Sequence, residues 1–90
     1  MVVFEITSDN QVDFLRAVAQ AQPRDRIVYH RGASCYASPL RLWALGASDA
    51  GLVILAKIRI KPGEPAFEHV AVRTKKKFRA FKRALPIPSY

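Results

Sequence analysis

The only residues able to serve as a soft nucleophile, an imidazole base or a transition-metal ligand are Cys35, His30 and His69. No spacing among them pairs a nucleophile with a base, and no glycine-rich phosphate loop, HExxH motif or calcium loop is present. The two histidines with Glu68 could ligate a metal only if the fold joined them, so no enzyme activity, metal or cofactor is expected. A single cysteine also excludes an intrachain disulfide and points to a reducing compartment.

The residues that do suggest chemistry are cations. Residues 1–72 carry eight Lys or Arg against seven Asp or Glu, whereas residues 73–90 carry seven against none: Arg73, Lys75, Lys76, Lys77, Arg79, Lys82 and Arg83. Such a cluster attracts polyanions, and nucleic acid is the most abundant polyanion of a cell. Lys57, Arg59 and Lys61 alternate along an apolar stretch, and on a regular strand they project to one side roughly 6.6 Å apart, near the phosphate spacing of a DNA strand. Tyr29, Arg31, Tyr36 and Arg41 form a second, looser mixture of aromatic and basic residues able to stack on and pair with nucleotides.

Positioning these groups requires a folded body, and the composition supplies one. Half the residues are hydrophobic and 24% are charged, the balance of a globular chain, and ninety residues make one domain. The longest apolar run, Leu52 to Ala56, is far too short for a membrane span, and the first residues lack a secretory signal; a cytoplasmic protein without membrane association is expected.

The elements follow from pattern and punctuation. Residues 2–6 read as a strand, and Ser8 with Gln11 three positions on has capping-box spacing for a helix over residues 9–21. Arg26 to His30 reads as a short strand, and Ser38-Pro39 as the start of a helix that Gly51 stops. Leu52 to Ile60 reads as a strand with Ala56, Ile58 and Ile60 buried and the cations on the other face, and Lys61 to Pro65 as a turn into a strand at Phe67–Arg73. Phe78, Phe81 and Leu85 recur at i, i+3 and i+7 among the cations, which predicts a basic amphipathic C-terminal helix ended by Pro86 and Pro88; a disordered tail is the alternative. Docking its apolar stripe on the body would leave the cations outward as a ridge.

Over residues 8–73 this order of helix, short strand, helix and hairpin resembles a winged-helix DNA-binding domain. The resemblance implies a recognition helix with Ser38 and Arg41 at its start and a wing that lays Lys57, Arg59 and Lys61 along the phosphates. The expected protein is α+β, with a winged-helix-like body at residues 1–74 and a basic segment at 75–90. Its expected function is nucleic-acid binding, with DNA ahead of RNA, as a regulator or accessory factor. The alternatives are a module that docks on an acidic protein or nucleoprotein complex, as phage-type inhibitors do, and a ribosome-associated protein. A homodimer through an exposed strand edge is left open.

Overall fold

The computed structural model describes residues 1–34, 38–63 and 65–85. Its elements are β1 (Val3–Glu5), α1 (Gln11–Gln20), β2 (Arg26–Gly32), α2 (Arg41–Asp49), β3 (Val53–Arg59) and β4 (Phe67–Arg73). The first helix starts two residues later than its capping-box spacing suggests: Asn10 is the cap, its side-chain oxygen accepting the Val12 N–H at 2.8 Å. Ser8 instead donates its hydroxyl to the Asp13 carboxylate at 2.6 Å. Asp25 closes the following turn by accepting the N–H groups of Val2 at 2.9 Å and Gln22 at 2.8 Å, which ties the start of the chain to the start of β2. Those two backbone hydrogen bonds, Val2 first, hold the Asp25 carboxyl below its ordinary pKa.

The strands form one mixed sheet in the order β1-β2-β4-β3. β1 runs parallel to β2, and β4 runs antiparallel to both β2 and β3. β2 and β3 are therefore parallel to each other, and α2 crosses over β4 to connect them. Phe14, Ala17 and Val18 of α1 and Ala44 and Ala47 of α2 share one core cluster with Ile27, Tyr29, Val53 and Ala71 of the sheet. Both helices thus lie on one side and leave the other face free of helices, although Val28 and Val70 at its centre are buried. On that open face Arg31 is held between Glu5 and Glu68, and Ile54 is 64% exposed.

This architecture overturns the winged-helix reading. The sheet is four-stranded and mixed, with β1 added parallel to β2, and the hairpin supplies half of it under the two helices instead of projecting as a separate wing. The second helix is not presented as a recognition helix, because its Ala44 and Ala47 are fully buried against the sheet. The helix, strand, helix and hairpin order does not by itself separate the two folds; the parallel β1–β2 pair and the packing of both helices on one face of the sheet do.

The assignment of faces on β3 is also corrected. The parity is as expected, but the helices cover the side carrying Val53 and Leu55, to which Lys57 and Arg59 belong, and leave the Ile54, Ala56 and Ile58 side open. Residues 52–56 are apolar on both parities, so alternation alone could not choose the covered side.

No helix forms at residues 75–85; Pro86 and Pro88 lie outside the described residues. A helix would set Lys75 against Arg79 and Arg79 against Arg83 at i, i+4, and Lys76 against Arg79 and Arg79 against Lys82 at i, i+3, and each such like-charge pair is destabilising. The segment instead gains contacts to α2 that an irregular backbone can make and a helix cannot.

Candidate nucleic-acid interface

The segment after β4 is a strap laid along α2. Arg73, at the end of β4, begins it from the inside. This residue is 6% exposed, and its guanidinium donates to the carbonyl oxygens of Val18 (2.9 Å), Leu52 (3.2 Å), Thr74 (3.1 Å) and Lys76 (2.7 Å). A planar fork with five N–H donors suits this convergence of carbonyls from α1, the α2–β3 junction and the strap. Arg73 is thus held as a structural clamp, buried away from the exposed cations of the basic cluster in which the sequence groups it.

Thr74 donates its hydroxyl to Gly51 O at 2.6 Å, and the Lys76 ammonium reaches Ala50 O at 2.7 Å. Both contacts lie at the C-terminal end of α2, where unpaired carbonyls favour donors and positive charge. Gly51, at φ 78°, supplies the left-handed residue that turns the chain there. Farther along, Phe81 packs edge-on against Trp43 with ring centroids 6.2 Å apart, and Ala84 N–H donates to Leu42 O at 2.9 Å. Between these points the Lys82 carbonyl oxygen passes so close to Gly46 that a side chain there would collide with it. The strap thus runs antiparallel to α2, over its Leu42, Gly46 and Ala50 positions.

Pinned in this way, the strap points its cations to solvent. Lys75, Lys76, Lys77, Arg79, Lys82 and Arg83 are all exposed, and among the described residues none of the six has a carboxylate partner. Lys76 is partly engaged by its bond to α2. The docked ridge forms as expected, although through a non-helical strap with Phe81 as its anchor; Phe78 is 38% and Leu85 82% exposed instead of completing a stripe.

The other expected contacts fall in three places. Lys57 and Arg59 stand on the helix-covered face of β3, with the Lys57 ammonium 4.9 Å and the Arg59 guanidinium 5.5 Å from the centroid of the Phe67 ring. Lys61 is exposed in the hairpin turn, and Arg41, half-buried, is the first residue of α2. Tyr29 and Arg31, grouped together by the sequence, are separated. Tyr29 is in the core at 6.0 Å from Phe14, Arg31 belongs to the ion pairs of the open face, and Tyr36 lies outside the described residues.

The two imidazoles come together in the fold. A bulge between Val28 and His30 sets Tyr29 and His30 successively on the helix side, where the His30 and His69 rings lie 5.5 Å apart at a tilt of 41°. His69, fully buried, holds the Gly32 carbonyl through Nε2 at 3.1 Å, while Glu68 turns to the opposite face and bonds Arg31. Among the described residues no three His, Cys, Asp or Glu converge as ligands. Cys35 lies outside them.

Two shallow depressions flank this region. One, of about 270 Å³, is lined by Thr7, Ser8, Asp9 and His30 at the ends of β1 and β2; the other, of about 200 Å³, lies between Tyr29, Leu55, Lys57 and His69. Among the described residues no helix is long and apolar enough to cross a membrane.

Comparison with protein-family models, with curated proteins and with solved structures finds no match to this chain. Fold and surface together define a small α+β domain, two helices on one face of a four-stranded mixed sheet, with a basic strap fastened over the second helix.

Proposed function

We propose that this protein binds nucleic acid through its phosphates, by means of the strap cations assisted by Lys57, Arg59, Lys61 and Arg41. The observation that carries this reading is the run of six exposed Lys and Arg between residues 75 and 83, uncompensated by any acid after Glu68 and held on α2 by backbone and aromatic contacts. Pre-fixing the backbone of such a segment lowers the ordering cost that a free tail would pay on binding. Duplex DNA is the first ligand to consider, because it presents about one charge per 1.7 Å of axis. The proposed contacts are to phosphates, which repeat along the duplex whatever its bases, so the binding is independent of sequence.

The test is fluorescence anisotropy with labelled duplex DNA and single-stranded RNA over a salt series. The chain should bind DNA at low salt and weaken linearly in log salt. Replacing Arg79, Lys82 and Arg83 together by Gln should flatten that slope by about 3, as three lost phosphate contacts require. Absence of binding at low salt, or a slope untouched by the triple substitution, would overturn the proposal and direct attention to an acidic protein partner.

A further inference from the structure

We infer that β3 is a self-pairing edge: two copies of this chain join antiparallel about Ala56 into one continuous sheet. The inference rests on the backbone of β3 and not on what the strap binds.

β3 is the free edge of the sheet, and its register with β4 runs without interruption from Val53↔Arg73 to Arg59↔Phe67. The opposite edge, β1, has only three residues. The direction of the unpaired groups on β3 follows from its ends. Thr74 N–H donates to Leu52 O and Ile60 N–H donates to Ala66 O, both in the β3–β4 register, so the even-numbered residues of β3 direct their N–H and C=O groups inward. Val53, Leu55, Lys57 and Arg59 therefore direct theirs outward, and among the described residues nothing bonds them. An unbulged edge of this kind, free of proline, is a template for another strand.

The sequence of β3 complements itself in one register. With Ala56 opposite Ala56 of the second copy, Leu55 meets Lys57 and Val53 meets Arg59 as hydrogen-bonded pairs, giving roughly eight bonds between the copies. On the open face the exposed Ile54 meets Ile58, which covers apolar surface that the helices leave bare. No cation lies directly opposite a cation. Lys57 and Arg59, which would otherwise guard the edge, are positioned over the Phe67 ring of β4. Paired residues of adjacent strands share a face, so both straps would emerge on the same side of the joined sheet.

Sedimentation equilibrium at about 100 μM, where interfaces at the small end of the size range are populated, should give twice the 10.1 kDa chain mass. In a Cys35→Ser background, Ala56→Cys should oxidise to a covalent dimer, because a non-hydrogen-bonded pair with Cα atoms about 4.5 Å apart accommodates a disulfide. Ile54→Cys, which faces Ile58 in the same register, should not. Of the backbone hydrogen-bonding groups Lys57→Pro removes only an outward N–H, and with it the ammonium over Phe67, so it should give a folded monomer with unchanged far-ultraviolet circular dichroism. A chain that sediments as a monomer, Ile54→Cys that crosslinks as readily as Ala56→Cys, or a dimer that survives Lys57→Pro would each overturn the inference; the cysteine comparison stands even if the proline variant fails to fold.

Discussion

A Cβ atom built on Gly46 would lie 2.1 Å from the carbonyl oxygen of Lys82. No real Cβ contact is that short, so the absence of a side chain at mid-helix allows the strap backbone to rest directly on α2. Glycine costs a helix about 1 kcal/mol relative to alanine, and here that cost secures a tertiary contact.

Gly46→Ala should therefore strengthen α2 locally while lifting the strap. The expected outcome is a melting temperature shifted by a few degrees at most, with tryptic cleavage after Lys77, Arg79 and Lys82 accelerated severalfold. Limited proteolysis beside a thermal melt reads both; cleavage at the wild-type rate would show that the strap does not depend on this approach.

Phe81→Ala removes the ring that packs on Trp43 at 6.2 Å. Since Trp43 is the only tryptophan, the emission reports its surroundings against the core and Phe81, and it should shift to the red as water reaches the indole. The loss of a half-buried aromatic pair should cost about 1–2 kcal/mol, measured by urea unfolding.

Arg73→Met keeps an unbranched side chain of similar length but takes the guanidinium donor from the carbonyls of Val18 and Lys76, while Leu52 O keeps the Thr74 N–H. The cost should be about 3 kcal/mol, in the range for breaking a buried charge-assisted network. Arg73→Lys should also destabilise, because an ammonium cannot reach donors in several directions at once, yet its DNA salt slope should equal that of wild type. A reduced slope would return Arg73 to the binding surface.

The Asp25 carboxyl has a depressed pKa, set first by the Val2 N–H and then by that of Gln22. A depressed carboxyl contributes stability that is present above its unfolded pKa, about 3.9, and is lost as pH falls through the folded value. Stability should therefore drop below about pH 4, and Asp25→Asn should flatten that part of the profile while loosening β1. Denaturant melts from pH 2.5 to 7 would show it; an unchanged acid limb in the variant would remove Asp25 from the account.

Much of the chain was legible because its signals are local. The hairpin strand Phe67–Arg73 follows from β-favouring residues after the Pro62-Gly63 turn, and Gly51 ends the second helix as its type suggests. The cap at Asn10 was missed because Ser8 and Asn10 both have capping side chains, and the choice rests on where the backbone first turns helical. The strap was missed for a different reason. Its Phe78, Phe81 and Leu85 have helical spacing, but Phe81 finds Trp43 and the backbone finds Gly46, partners more than 30 residues away.

Sequence alone was enough to determine the α+β class, the approximate span of each strand and helix within residues 1–73, and the concentration of positive charge after Glu68, because these depend on side-chain period, turn chemistry and composition. Tertiary structure decided which face of β3 is covered, that β4 enters between β2 and β3, that Arg73 is a buried clamp, and that six cations stand on a strap over α2. Those outcomes depend on contacts between segments distant along the chain, where apolar residues on both parities of β3 and an apolar repeat in the tail each admit more than one packing, and only the assembled core selects between them.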